Sequence, residues 1–101
     1  MKIDFNVEMK DFNGKAINDQ DKKAVTFKDI CINALMGVLE TDRTLTGNQK
    51  FELYMIAKKV HSGGVIDIGI NDIKVIQDRV DKMYNCLMVG RVREIFNQCT
   101  D

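Results

Sequence analysis

Residues 2–17 read KIDFNVEMKDFNGKAI, and this stretch decides the fold class. Apolar Ile3, Phe5 and Val7 alternate with polar Lys2, Asp4, Asn6 and Glu8. A period of two sends alternate side chains to opposite faces of an extended chain, so residues 2–9 predict a strand with one buried face. Asn13-Gly14, within Asp11-Phe12-Asn13-Gly14-Lys15, is a strong hairpin signal because both residues tolerate positive φ. Residues 15–17 then make a second, short strand.

Downstream, residues 18–23 (NDQDKK) are polar and read as loop, and residues 24–26 (AVT) are extended and lead into a helix. Thr26 is the N-cap, with Asp29 placed to return its bond in a capping box and Val25 and Ile30 placed as a hydrophobic staple. The periodicity carries this first helix over residues 27–40. One stripe holds Phe27, Ile30, Cys31, Ala34, Leu35 and Val38, and a second apolar set, Ile32, Met36 and Leu39, lies off it. A helix apolar on most sides is central in a fold or sits at an interface. A chain of 101 residues has few elements to surround it, which points to an interface.

Residues 41–47 (TDRTLTG) are a polar loop, and Thr46 with Gln49 gives another capping-box pattern, with Thr44 as a competing cap. The second helix covers 48–61, with Leu53, Ile56, Ala57 and Val60 as its stripe, Phe51 and Tyr54 flanking, and Lys50, Glu52, Lys58 and Lys59 toward solvent. Ser62-Gly63-Gly64 ends it, since glycine takes the left-handed conformation at low cost. Residues 65–68 (VIDI) are β-branched and predict a strand; pattern alone does not decide whether it joins the N-terminal sheet. A third helix follows over 72–85, capped by Asn71 with Ile70 and Val75 as staple. Its core face is Ile73, Ile76, Val80, Met83 and Leu87, and its water side is Asp78, Arg79, Asp81 and Lys82. A last helix, about 86–97, carries Leu87, Val89, Val92, Ile95 and Phe96. The expected fold is therefore α+β, a single domain with a small N-terminal antiparallel hairpin or sheet packed on three to four α-helices.

Composition narrows the function classes. Hydrophobic residues at 45% support a packed core and argue against disorder. Fifteen basic residues balance fifteen acidic ones. Without a basic excess or stripe nucleic acid is disfavoured as a partner, because phosphate contacts supply most of that affinity. Neutrality also removes the repulsion that opposes self-association. Cys31, Cys86 and Cys99 are odd in number and widely spaced, unlike a secreted disulfide framework. The opening residues hold early acids and no apolar run, which predicts no secretory signal. Free thiols and a cytoplasmic location are expected, with no membrane segment.

Catalytic and metal signatures are missing from the string. His61 is the sole histidine, at a helix end where it suits terminal carbonyls. No close Cys or His pair suits zinc. The segment GGVIDIGINDI has the outline of an EF-hand loop but lacks oxygen ligands at alternate positions. Neither a Walker loop nor G-x-S-x-G occurs. Met36, Met55, Met83 and Met88 sit at apolar helix positions, where methionine fills irregular cores or adaptable binding faces. Arg91 and Arg93, with Arg79 and Lys82, interleave with Asp78, Asp81 and Glu94 as a solvated, paired face or an arginine-bearing surface.

The opening KIDFNVEMKDFNGKAI, the helix VTFKDICINALMG, the segment LTGNQKFELYMIAKKV and the closing LMVGRVREIF together resemble a family of small proteins encoded by tailed bacteriophages and prophages. That resemblance implies expression inside an infected or lysogenised bacterium and brings no site residue with it. The expectation is a non-enzymatic binding protein acting through protein–protein contacts as a homo-oligomer, with itself and a phage or host protein as partners. Ile32, Met36 and Leu39 are the expected contact residues, followed by Met88 and Arg91; no cofactor or metal is expected. Alternatives are a virion assembly protein, an inhibitor of a host defence complex of the anti-CRISPR kind, and a weak nucleic-acid-binding regulator.

Overall fold

A computed structural model describes residues 2–18, 20, 22–37 and 39–98. Among them the order is β1 (Lys2–Asp4), α1 (Phe27–Met36), a 3-10 turn (Glu40–Thr44), α2 (Gly47–His61), β2 (Val65–Asp67), α3 (Ile70–Met83) and α4 (Cys86–Gln98). The α+β class predicted from the pattern is the architecture observed. β1 and β2 pair antiparallel with Ile3 opposite Ile66, so the VIDI segment supplies the partner of the first strand.

The N-terminal segment is less regular than an extended hairpin. Ile3, Phe5 and Met9 are buried, whereas Val7 is exposed, because the chain turns after β1. Beyond the turn it makes isolated antiparallel bridges, Glu8 with Thr26, Lys10 with Ala16 and Asn18 with Ala24. Three backbone bonds of 2.8 Å close these segments into a ring: Ile17 N–H to Met9 C=O, Val25 N–H to Ile17 C=O, and Met9 N–H to Val25 C=O. At the hairpin tip Gly14, with φ of 79°, donates to Asp11 C=O, while Asn13 keeps negative φ. The tip is thus a three-residue loop with glycine in the left-handed position rather than a two-residue Asn-Gly turn.

This irregular segment completes α1. The first N–H groups of any helix have no partner within it. Here Phe27 N–H donates to Val7 C=O, Lys28 N–H to Phe5 C=O and Asp29 N–H to Thr26 Oγ1, at 2.7, 2.8 and 3.2 Å. Asp29 Oδ2 accepts in turn from Thr26 N–H, completing the expected capping box. Phe5 stacks on Phe27, and Phe96 of α4 meets Phe27 edge-on, each with ring centroids 5.1 Å apart. Cys31 lies in the same core, and burial pushes its thiol pKa well up.

Three sequence expectations need correction. Helix α1 ends at Met36 rather than at residue 40, so Leu39 lies outside it; Val38, like Cys99, is outside the described residues. Helix α3 is capped by Gly69 without a side-chain bond, which places Asn71 in the first turn and leaves Ile70 exposed rather than stapled to Val75. Arg79, read as solvent-facing, is 8% exposed. The junction that periodicity left open is a break: Tyr84 is extended, and Asn85 Oδ1 accepts from Met88 N–H at 3.1 Å, capping α4.

Gly37 has ordinary extended dihedrals, yet a Cβ there would lie 2.6 Å from Asn33 C=O and collide with the Met83 side-chain tip. Gly37→Ala is therefore expected to destabilise the fold by about 1–3 kcal/mol, the usual cost of overpacking. Urea denaturation checks this; an unchanged midpoint would show that the end of α1 has slack.

Candidate functional site

The end of α1 is held by one side chain. Arg79 of α3 reaches across and donates Nε–H to Ala34 C=O at 2.6 Å and Nη2–H to Gly37 C=O at 2.9 Å. Both carbonyls belong to the terminus of α1, where acceptors are unpaired and the helix dipole favours a cation. The same guanidinium grips Asp42 of the 3-10 turn through Nη1 to Oδ1 at 2.8 Å and Nη2 to Oδ2 at 2.9 Å. Asp42 Oδ2 also accepts from Leu39 N–H at 2.8 Å. Arg79 thus fixes where α1 stops and where the following turn lies. The two side chains are largely buried, so their fork-to-fork pairing is only weakly screened.

With the chain turned aside at Gly37, the 3-10 turn stands off from α2 and leaves a groove of about 780 Å³. Leu35, Met36 and Leu39 form one wall, Leu53 and Tyr54 of α2 the other, and Arg79 with Asp42 lies at its base. Met36 and Tyr54 also border an adjoining hollow of about 260 Å³ lined by Ile32, Ala57, Lys58 and His61. Leu45, Leu53 and Arg79 border another of about 230 Å³, which carries Glu52 and Asp78. Outside the groove lining on α2, Phe51 has its ring centroid 6.1 Å from that of Tyr54, and Met55 is one turn from Phe51. Met36 at 56% and Phe51 at 59% exposure are large apolar side chains in water.

The structure brings Ile32, Met36 and Leu39 to one continuous surface, although Leu39 reaches it from outside the helix. Met88 and Arg91 lie elsewhere. Met88 is 9% exposed and packs in the core, so it presents little surface. Arg91 donates to Lys10 C=O and Asp11 C=O, pairs with Glu94, and sits 6.0 Å from the Phe12 ring centroid, pinning the hairpin tip to α4. Arg93 pairs with Asp81. Sequence reading missed Arg79, Asp42 and the α2 contribution from Leu53 to the groove wall. The one available signal for Arg79 was its position three residues after core Ile76, on the same helical stripe.

Most of the polar groups at the groove base are already committed. Arg79 spends four of its five N–H donors on the bonds above. Among the described residues no group of three His, Cys, Asp or Glu side chains converges to hold a metal, and no helix is long and apolar enough to cross a membrane. What the groove offers is apolar area with charged edges.

Hydrogen bonds from Arg79 and then from Leu39 N–H lower the Asp42 carboxyl from 3.8 to about 2, against a smaller opposing effect of burial. A carboxyl whose pKa is depressed on folding contributes stability above its ordinary value and loses that contribution as pH falls through the folded value. Wild type is thus expected to lose this contribution between about pH 4 and about pH 2, and Asp42→Asn should flatten that part of the stability profile. At neutral pH, Asp42→Ala strands a buried guanidinium and should cost about 3 kcal/mol, but much less in an Arg79→Met background. Additive losses in that double-mutant cycle would remove the pair as the organiser of the turn.

Comparison with protein-family models, with curated proteins and with solved structures finds no match. The groove is therefore read from its own geometry.

Proposed function

We propose that this chain is a non-enzymatic binding protein that engages another protein through the groove between the end of α1, the 3-10 turn and α2. One observation carries the reading: Met36 and Tyr54 are exposed on opposite walls of an apolar groove of about 780 Å³, and exposed Phe51 adjoins Tyr54. Monomeric proteins seldom leave contiguous apolar surface in water unless something covers it. Methionine and tyrosine suit such a surface, the first because it adapts its shape and the second because it brings apolar area with little entropy to lose. The walls present area rather than a reacting group, which favours recognition over turnover.

The likeness of the sequence layout to small tailed-phage proteins supports a partner from a phage or its bacterial host. Self-association, expected from the neutral charge balance, is a form of the same reading in which the second protein is another copy. Nucleic acid fits less well, because the aliphatic lining of Leu39, Leu45 and Leu53 offers nothing to phosphate and would stay wet.

Site-specific photo-crosslinking in cells that express the chain tests this reading. A benzoylphenylalanine at Tyr54 is expected to give protein adducts that one at exposed Lys74 does not, and Met36→Lys is expected to abolish them. Because Met36 is more than half exposed, that substitution should change folding stability by less than about 0.5 kcal/mol, checked by circular dichroism. An adduct of twice the chain's mass marks a second copy; no adduct above the Lys74 control from a folded protein overturns the reading.

A further inference from the structure

We infer that the occupant of the groove is an amphipathic helix with an acidic flank, a conclusion that rests on the protein-binding reading of the same groove. The groove and its adjoining hollow are bordered by Arg43, Lys50 and Lys58. Asp42 is the carboxylate found with them among the described lining residues, and its oxygens are already taken by Arg79 and Leu39 N–H. Lys59, by contrast, faces Asp72 at 3.6 Å and stays out of the rim. The acids Glu52 and Asp78 line the hollow beyond Leu45 and Leu53, on the other side of the groove wall. Among the described residues, a chain with zero formal net charge therefore sets three cations, with no carboxylate paired to them, along the borders of its apolar groove.

A partner gains most from such borders by laying apolar side chains along Ile32, Met36, Leu39 and Tyr54 and carboxylates along Arg43, Lys50 and Lys58. A helix does this with anchors at i, i+3, i+4 and i+7 and acids on the neighbouring positions. Complementary rim charge raises the association rate and rejects partners of the wrong sign. The same cations disfavour a second copy as occupant. A two-fold interface sets a patch against itself, so a dimer centred on the groove would bring Arg43, Lys50 and Lys58 toward their own copies. Nucleic acid would meet the cations but leave the apolar walls wet.

Two fluorescein-labelled peptides of about 18 residues, roughly five helical turns, serve as probes. They share one leucine face; one carries glutamates on its flanks and the other lysines. Polarisation is expected to show the glutamate peptide bound at least about tenfold more tightly at low salt, with the preference shrinking toward about 0.5 M NaCl as rim charges are screened. The exposed pair Arg43→Glu and Lys50→Glu should reverse the preference, and Met36→Lys should weaken both peptides. Equal binding, or tighter binding of the lysine peptide, overturns the acidic occupant; if Met36→Lys still removes both, the protein-binding groove survives. Binding of neither peptide also overturns it. A Met36-dependent dimer in light scattering would then make a second copy the occupant, and no dependence on Met36 in any assay would remove the groove as well. Displacement of the glutamate peptide by an oligothymidylate at comparable concentration overturns it in favour of nucleic acid.

Discussion

Everything at the groove depends on the Arg79 guanidinium being inside the protein. Burying a cation costs several kcal/mol unless its charge and donors are met. Here two carbonyls at the end of α1 and both oxygens of Asp42 meet them. An aliphatic residue at 79 would pack against α1 but could not bond Ala34 C=O and Gly37 C=O, and those acceptors would favour continuing the helix or opening to water. Arginine is suited to the position because its planar fork reaches helix terminus and carboxylate together, which the point charge of lysine does not.

The consequence is geometric. Where α1 stops determines where the chain from Leu39 onward can run, and Asp42 fixes that course by bonding both Arg79 and Leu39 N–H. The 3-10 turn is therefore held away from α2 by a polar latch instead of collapsing onto it. Had the helix run on through residue 40, Leu39 would have remained on its surface. As built, it faces Leu53 and Tyr54 across a cavity. Interaction between the buried charge pair and the exposed apolar groove is thus structural: the former keeps the latter open. Gly37 contributes by letting the chain leave the helix hard against Asn33 and Met83, where a side chain would not fit.

Local signals were legible where residues meet neighbours close in sequence. The capping boxes at Thr26 and Thr46, the glycine stop after α2 and the apolar stripes of Ile56–Val60 and Ile73–Val80 follow from spacings of two to four residues, and they are present. The VIDI strand was legible as a strand but not as the partner of β1, because pairing joins residues more than sixty positions apart and leaves no periodic trace. Arg79 failed for the same reason on a finer scale. Its acceptors lie 37 to 45 residues away, and among Asp78, Asp81 and Lys82 its charge outweighs the one inward hint, the spacing from Ile76. Ile32, Met36 and Leu39, singled out by excess apolar character, line the groove and its adjoining hollow, although Leu39 arrives from outside the helix. Met88 failed because apolar character does not separate a core methionine from a surface one.

That distinction bears on how the two halves of the molecule divide their work. The aromatic trio of Phe5, Phe27 and Phe96, the ring of backbone bonds through Met9, Ile17 and Val25, and the Arg91 clamp on the hairpin tip all lie toward the N-terminal segment and α4. There the three rings of the trio are buried and the bridging backbone groups are paired, while Val7 and Phe12 stay exposed. At the groove Met36 and Tyr54 stay in water, and the polar groups at its base, Arg79 and Asp42, are satisfied. Exposed apolar area adds nothing to folding, since it is in water in both folded and unfolded chains. Under the proposed protein-binding reading, the groove would supply apolar area to release from water on contact, and the buried ion pair at its base a frame that loses little entropy when contact is made.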